Sequence, residues 1–217
     1  MIPFIPSLLE LSEFWNKNIS ESCSYISNQL LLAPYRAVGP KEFDRVFDEI
    51  VLDSLAPAII GLIDNNKKKV IDLGCGSGIP SIPLALFLPL AEFIAIDSSI
   101  KRIEFAKCMA KSLNISNIVF RNVFLEKKKE KQKCRNLKLS STYVIARGFS
   151  ALENTCEISE NLLCSGGKLI IYSTSEYWTK NEEKISSMKI WTSKFYPYMR
   201  HNSGRLYGLI ELTKNSR

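Results

Sequence analysis

Val70-Ile71-Asp72-Leu73-Gly74-Cys75-Gly76-Ser77-Gly78 decides how the rest of the chain is read. The apolar run at 69–73 (KVIDL) is short, unbroken and stops at a glycine cluster, which predicts a strand buried on both faces. Glycines then recur at alternate positions, 74, 76 and 78, and a helical segment follows at 81–88, with Pro80 at its first position. Glycine opens backbone conformations closed to other residues and lets a ligand lie against the main chain. In open parallel sheets, ligands bind beyond the carboxyl ends of the strands, where such a loop sits. The spacing is G-x-G-x-G. It differs from the G-x-G-x-x-G that seats a dinucleotide pyrophosphate on a helix N-terminus, and no lysine followed by Ser or Thr completes a phosphate loop. A nucleoside without a pyrophosphate fits the pattern better.

Outward from this loop, 92–96 (EFIAI) reads as a second strand ending at Asp97, 19 residues past Gly78. A carboxylate there can accept hydrogen bonds from both ribose hydroxyls of an adenosine. The glycine triplet and Asp97, in this order, point to S-adenosylmethionine. The plain structural alternative is a tight strand–helix turn followed by a helix-capping Asp. Further strands are expected at 117–121, 143–146, 168–172, 190–196 and 205–213, with helices at 100–113 (capped by Ser99), 151–163 and 176–188. Strands alternating with helices predict an α/β fold, a mainly parallel sheet covered on both faces. The last two strands are close enough in sequence to pair antiparallel. Helices at 7–16, 22–32 and 41–63 precede the sheet. Residues 1–64 thus read as a helical cap and 65–217 as the ligand-binding sheet domain, together one compact unit.

The 217 residues are 46% hydrophobic and 24% charged, enough for one core of ordinary size, which excludes a disulfide-dependent miniprotein, a disordered tail, a repeat array and a membrane bundle. The net charge of +7 is uneven: residues 1–60 hold 4 basic and 8 acidic side chains, and the remainder, by difference from 29 and 22, holds 25 and 14. A basic body suggests a polyanionic partner, although Lys-rich solubility is the simpler explanation. Seven basic residues crowd between Lys127 and Lys138, either as a solvated face or as a phosphate-contacting patch. The opening MIPFIPSLLELSEFW lacks a basic leader and does not read as a secretory signal. The greasy stretch 79–96 is cut by Pro80, Pro83 and Pro89, too broken to span a bilayer. Six scattered cysteines form no C-x-x-C pair, and one histidine, His201, leaves no zinc set. The expectation is a cytoplasmic protein without metal or membrane, taken as a monomer.

DLGCGSGIPSIPLA resembles the glycine loop of the bacterial 16S ribosomal RNA guanine-N7 methyltransferases of the GidB family, a branch of the class I methyltransferases with a proline-containing loop of the form DLGSGAGFPGIPLA. Ile79 stands for the family Phe and Ser81 for a Gly, while Pro80 and Pro83 are kept. Asp97-Ser98 with Lys101-Arg102-Ile103-Glu104-Phe105 is similar to the family's D-S-x-x-K-R-x-x-F. Ala146-Arg147-Gly148 lies where the family has S-R-A or A-R-A, Asp53-Ser54-Leu55 matches its D-S-L, and Trp15-Asn16-Lys17 its W-N-K. Two departures stand out. Glu49-Ile50 replaces the family's Arg-His, and Phe124-Leu125-Glu126 replaces its Arg-Ala-Glu, so that only Glu126 remains.

The resemblance implies a Rossmann-like, mostly parallel seven-stranded sheet with one antiparallel strand, helices on both faces and an N-terminal helical cap. It implies S-adenosyl-L-methionine as cofactor, held by Asp72, Gly74, Gly76, Gly78, Ile79, Asp97, Ser98, Glu126 and Arg147. It also implies small-subunit ribosomal RNA, free or assembled, as partner and methyl transfer to guanine N7 as reaction. A small-molecule or protein methyltransferase with a changed cap is the alternative, favoured by the two departures. Arg147 is the candidate catalytic residue. Two roles stand open for it: orienting the target base or a phosphate through its two-pronged guanidinium, or pairing with a cap carboxylate such as Asp53. Trp191, Phe195, Tyr196, Tyr198 and Tyr207 could stack a flipped base or simply pack a strand. Cys75 reads as a small filler, and His201 as structural.

Overall fold

The computed structural model describes residues 17–125, 140–200 and 205–215. Seven strands form one sheet: β1 (Lys69–Leu73), β2 (Glu92–Asp97), β3 (Ile118–Asn122), β4 (Ser141–Ala146), β5 (Leu163–Thr174), β6 (Trp191–Met199) and β7 (Leu206–Lys214). Their order is β3-β2-β1-β4-β5-β7-β6. The first five are parallel neighbours, and β7 runs antiparallel to both β5 and β6. This is the mostly parallel sheet with a single reversed strand that the sequence predicts.

Period-two alternation divides the core. Val70, Ala95, Tyr143, Ile145 and Ile170 join one buried cluster, while their chain neighbours Ile71, Ile96, Val144, Ala146 and Leu169 join the other. Helices α1 (Lys17–Leu32), α4 (Ser81–Phe87) and α5 (Ile100–Ser112) cover the first face; α6 (Leu152–Leu162) and α7 (Ser175–Ser186) cover the second. Helix α5 buries Ile103, Ala106, Met109 and Ala110, spacings that repeat the helical period, and Ser99 Oγ caps it by accepting from Arg102 N. Pro80 occupies the N-cap of α4, one place before the first helical position, and Thr174 caps α7 by accepting from Tyr177 N.

The expected helix at 41–63 is instead broken into pieces. An α-turn (α2, Phe43–Val46) widens into a π-helical stretch (Phe47–Leu52), tightens to 3-10 over Asp53–Leu55 and ends in α3 (Ala56–Ile59). The carbonyls of Glu49 and Ile50 accept from the Arg147 guanidinium, and Ser54 Oγ donates to Ile50 O, so these acceptors are diverted from a regular ladder. Strand β5 is also longer than expected, because Leu163 pairs with Ser141 ahead of a register shift. Cap residues Cys23, Ile26, Leu30, Val46 and Leu55 share one buried cluster with Val70, Ile82 and Ile103 of the sheet domain. The expected helix at 7–16, Trp15-Asn16, Glu126, the Lys127–Lys138 run and His201 lie outside the described residues.

Candidate active site

The carboxyl ends of β1, β2 and β4 meet at the glycine loop. Gly74 N and Cys75 N both donate to Ile96 O (2.8 and 3.0 Å), and Gly78 N and Ile79 N donate to Cys75 O, which folds the loop back onto β2. Gly76 and Gly78 carry φ of +53° and +92°, the left-handed region that glycine adopts without a Cβ penalty. At Gly78 a Cβ would also overlap the Ile82 side chain; at Gly76 there is open space. The main chain at Gly76 is therefore accessible from outside the protein.

Asp97 is the anchor of this arrangement. Its Oδ2 accepts from Gly76 N at 2.9 Å and its Oδ1 from Ser99 N at 2.8 Å. Each oxygen retains acceptor capacity beyond that one bond, so a diol could be held in two-point fashion. Beneath the loop, Asp72 is fully enclosed. Its Oδ2 accepts from Ser81 Oγ at 2.5 Å and its Oδ1 has no partner. Burial pushes this carboxyl up to about 7, against the opposing hydrogen bond from Ser81. The Cys75 thiol is likewise raised by burial, then by Asp72 and Asp97, which removes it as a nucleophile.

A cavity of about 400 Å³ opens beside Asp97, a size within the ~300–1,000 Å³ of small-molecule sites. Gly74, Asp97 and Ser98 line it, together with Arg102, Phe124 and Phe149. Asp72, Gly76, Gly78 and Ile79 support the loop from behind or beside the cavity. Arg102 belongs to the Lys-Arg motif, but Phe149 carries no sequence signal and reaches the cavity only because the turn after β4 lays its ring over Gly74, where a Cβ would stand 2.7 Å from Phe149 Cδ2.

Arg147 leaves the end of β4 in the opposite direction, into the cap. Nη1 donates to Ile50 O (2.9 Å) and Ser54 Oγ (3.1 Å), and Nη2 donates to Glu49 O (2.7 Å). Nη2 also stands 2.9 Å from Asp53 Oδ2, at ion-pair distance without hydrogen-bond alignment. Its guanidinium lies 5.4 Å from the centre of the Tyr172 ring, whose hydroxyl donates to Ser54 O at 2.5 Å. Asp53 Oδ1 accepts from Tyr198 Oη (2.8 Å) and Arg200 Nε (2.5 Å). Two arginines thus share one buried carboxylate, joining the D-S-L turn, β4 and β6. Tyr198 and Tyr207 belong to this joint, with Arg200 over the Tyr207 ring, and Phe195 stacks on Trp178; these aromatics pack the sheet end. Among the described residues no cluster of His, Cys, Asp and Glu could hold a metal, and no helix is long and apolar enough to cross a membrane.

The family model for GidB, rRNA small subunit methyltransferase G, matches residues 33–204. The chain belongs to this family. Among GidB relatives, the ribosomal RNA small subunit methyltransferase G of Streptococcus sanguinis (strain SK36) is 29% identical over 153 residues, 70% of this chain and 63% of the relative. That of Streptococcus pneumoniae serotype 4 (strain ATCC BAA-334 / TIGR4) is 30% identical over 139 residues, 64% of this chain and 56% of the relative. The chain thus spans less than two thirds of the length of these curated relatives. Among solved structures, an rRNA methylase from Streptococcus thermophilus superposes with a TM-score of 0.52 at 18% identity, over 76% of this chain and 93% of that one. NSun6 from Pyrococcus horikoshii superposes with a TM-score of 0.59 at 15% identity, over 77% and 53%. At these identities the superpositions establish the fold.

Proposed function

We propose that the chain is an S-adenosylmethionine-dependent methyltransferase acting on N7 of a guanine in small-subunit ribosomal RNA. The observation that carries this is Asp97. It is a carboxylate locked to Gly76 N and Ser99 N at the tip of β2, facing a cavity of about 400 Å³ in a chain of the GidB family.

The residues present fit the cofactor. Asp97 would take the ribose hydroxyls, the accessible backbone at Gly76 would lie along the chain of the ligand, and Ser98, Phe124 and Phe149 would enclose the base. Asp72 would act from beneath, holding the loop through Ser81. When bound, the cofactor supplies an electrophilic methyl group, which guanine N7 can take with its own lone pair while the sulfur keeps the electrons of the broken bond. No proton has to be removed. The chain's part is then placement and exclusion of water, and well-oriented reactions gain roughly 7–11 kcal/mol from placement. Arg147 acts in this reading as a positioning residue: its fork holds the cap against β4, and Glu126 would complete the cofactor side.

Label from methyl-tritiated S-adenosylmethionine should enter purified small-subunit RNA. Label entering a metabolite or protein fraction, with RNA unlabelled, would establish the changed-cap alternative.

A further inference from the structure

The glycine loop is fastened from two sides. On the sheet side, Gly74 N and Cys75 N donate to Ile96 O, Gly76 N donates to Asp97, and Gly78 N and Ile79 N close back on Cys75 O. Between the last two glycines stands Ser77, 4% exposed, and its side chain is tied to the cap instead. The hydroxyls of Ser77 and Tyr35 share a hydrogen bond at 3.2 Å, 42 positions apart in sequence. Among the described residues, Tyr35 is the one hydrogen-bond partner of that side chain. Tyr35 belongs to the connection between α1 and α2, a stretch with neither helix nor strand. Its ring meets the Phe105 ring of α5 edge-on, with centroids 5.8 Å apart and planes at 72°. Ala37 and Val38 of the same connection pack on the cluster that holds Ile79 and Phe105.

Tyr35 therefore touches both elements that grip Asp97. The glycine loop supplies Gly76 N to Oδ2, and Ser99, which caps α5, supplies its N–H to Oδ1. The residues flanking Ser77 are glycines at φ of +53° and +92°, and glycine loses more conformational freedom on ordering than any other residue. Restraints already in place before a ligand arrives lower the cost of binding it. Tyr35 itself lies outside the lining of the cavity, so whatever it does for a ligand it does through its neighbours. We propose that Tyr35 is a positioning residue for the cofactor: acting through Ser77, it holds the tip of the glycine loop and α5 in the ligand-ready arrangement, so that the cap contributes to cofactor affinity. The assignment rests on the methyltransferase reading above and adds a link between cap and cofactor site that is separate from the Arg147–Asp53 joint.

Tyr35→Phe removes the hydroxyl and keeps the ring on Phe105. The net worth of one hydrogen bond between neutral groups corresponds to roughly a two- to tenfold change in an equilibrium constant. Affinity of the full chain for S-adenosylhomocysteine, read by calorimetry, should fall by that factor in Tyr35→Phe. KM for S-adenosylmethionine should rise with it, and kcat on small-subunit RNA should change less than KM. Ser77→Ala should lose affinity to the same extent, and the double variant no more than either single one, because all three break the same bond. A tie that only stabilised the cap would move the melting temperature and leave ligand affinity at the parental value. Parental affinity in Tyr35→Phe, or losses that add in the double variant, would thus overturn the role of Tyr35 while the methyltransferase reading stands. A parent chain that binds no S-adenosylhomocysteine would overturn that reading, and the role of Tyr35 with it.

Discussion

Asp97 and Asp72 are 25 residues apart in sequence and both buried beside the glycine loop, yet their environments assign them opposite tasks. Asp97 accepts two backbone N–H bonds and faces a cavity, so it is set up to receive hydroxyls. A hydrogen bond to a charged group is worth ~1.5–3 kcal/mol; losing the carboxylate should weaken S-adenosylhomocysteine binding about 100-fold in Asp97→Ala, read by calorimetry. Gly76→Val should lose affinity as well, through its φ of +53°, which a β-branched residue resists. Parental affinity in either variant would show that the ligand does not bind at this loop. Asp72 faces Ser81 and apolar packing, and burial holds its proton up to about pH 7. Unfolded, it ionises near the ordinary carboxyl value of 3.8. Between those values the folded chain carries the extra proton, so this residue makes stability fall as pH rises from about 4 to about 7. Asp72→Asn should flatten that slope, and its melting temperature relative to the parent should improve by several degrees between pH 5 and pH 8. An unchanged difference across that range would refute the assignment.

At the scale of elements, the cap is held to the sheet by a polar joint as well as by apolar packing. Arg147 is only 18% exposed at its side chain and reaches Glu49, Ile50, Ser54 and Asp53 at once. Removing one partner of a buried ion pair costs ~3–5 kcal/mol because the other charge is left uncompensated. Arg200 still pairs Asp53, so Arg147→Ala should sit near the lower end. At ~2–4 °C per kcal/mol for a chain of this size, the melting temperature should drop by roughly 6–12 °C. Arg147→Lys should recover little of it, since one ammonium cannot replace the fork. A parental melting temperature with reduced methylation would place Arg147 on the substrate instead. This joint also shows where the sequence was legible and where it was not. The first five strands follow from apolar runs and the glycine loop, which are local signals. The helix expected at 41–63 follows from local periodicity too, but its carbonyls answer to an arginine almost 100 residues away, and no local pattern reports that. Phe149 escaped for the same reason: its ring reaches the cavity beside Asp97 only because the turn after β4 lays it over Gly74. The Asp53–Arg147 pairing was open from charge complementarity across two family motifs, without the carbonyl contacts that dominate it.

For the whole molecule, the charge asymmetry acquires a geography. Residues 1–60 carry −4 and the remainder +11, and among the described residues the exposed Lys101, Arg102, Lys111 and Arg121 lie on α5 and β3, with Arg102 lining the cavity beside Asp97. Phosphate contacts release counterions, so affinity for small-subunit RNA should fall about tenfold or more between 50 and 200 mM salt, measured by filter binding; a salt-independent affinity would remove the basic face from the interface. Incubating the chain with S-adenosylmethionine and purified small-subunit RNA, digesting the RNA to nucleosides and measuring 7-methylguanosine by mass spectrometry decides whether the proposed reaction occurs. The parent chain should yield 7-methylguanosine, and Asp97→Ala should yield none. No 7-methylguanosine from a parent chain that binds the cofactor, with the methyl group found instead on a protein or a metabolite, would contradict it.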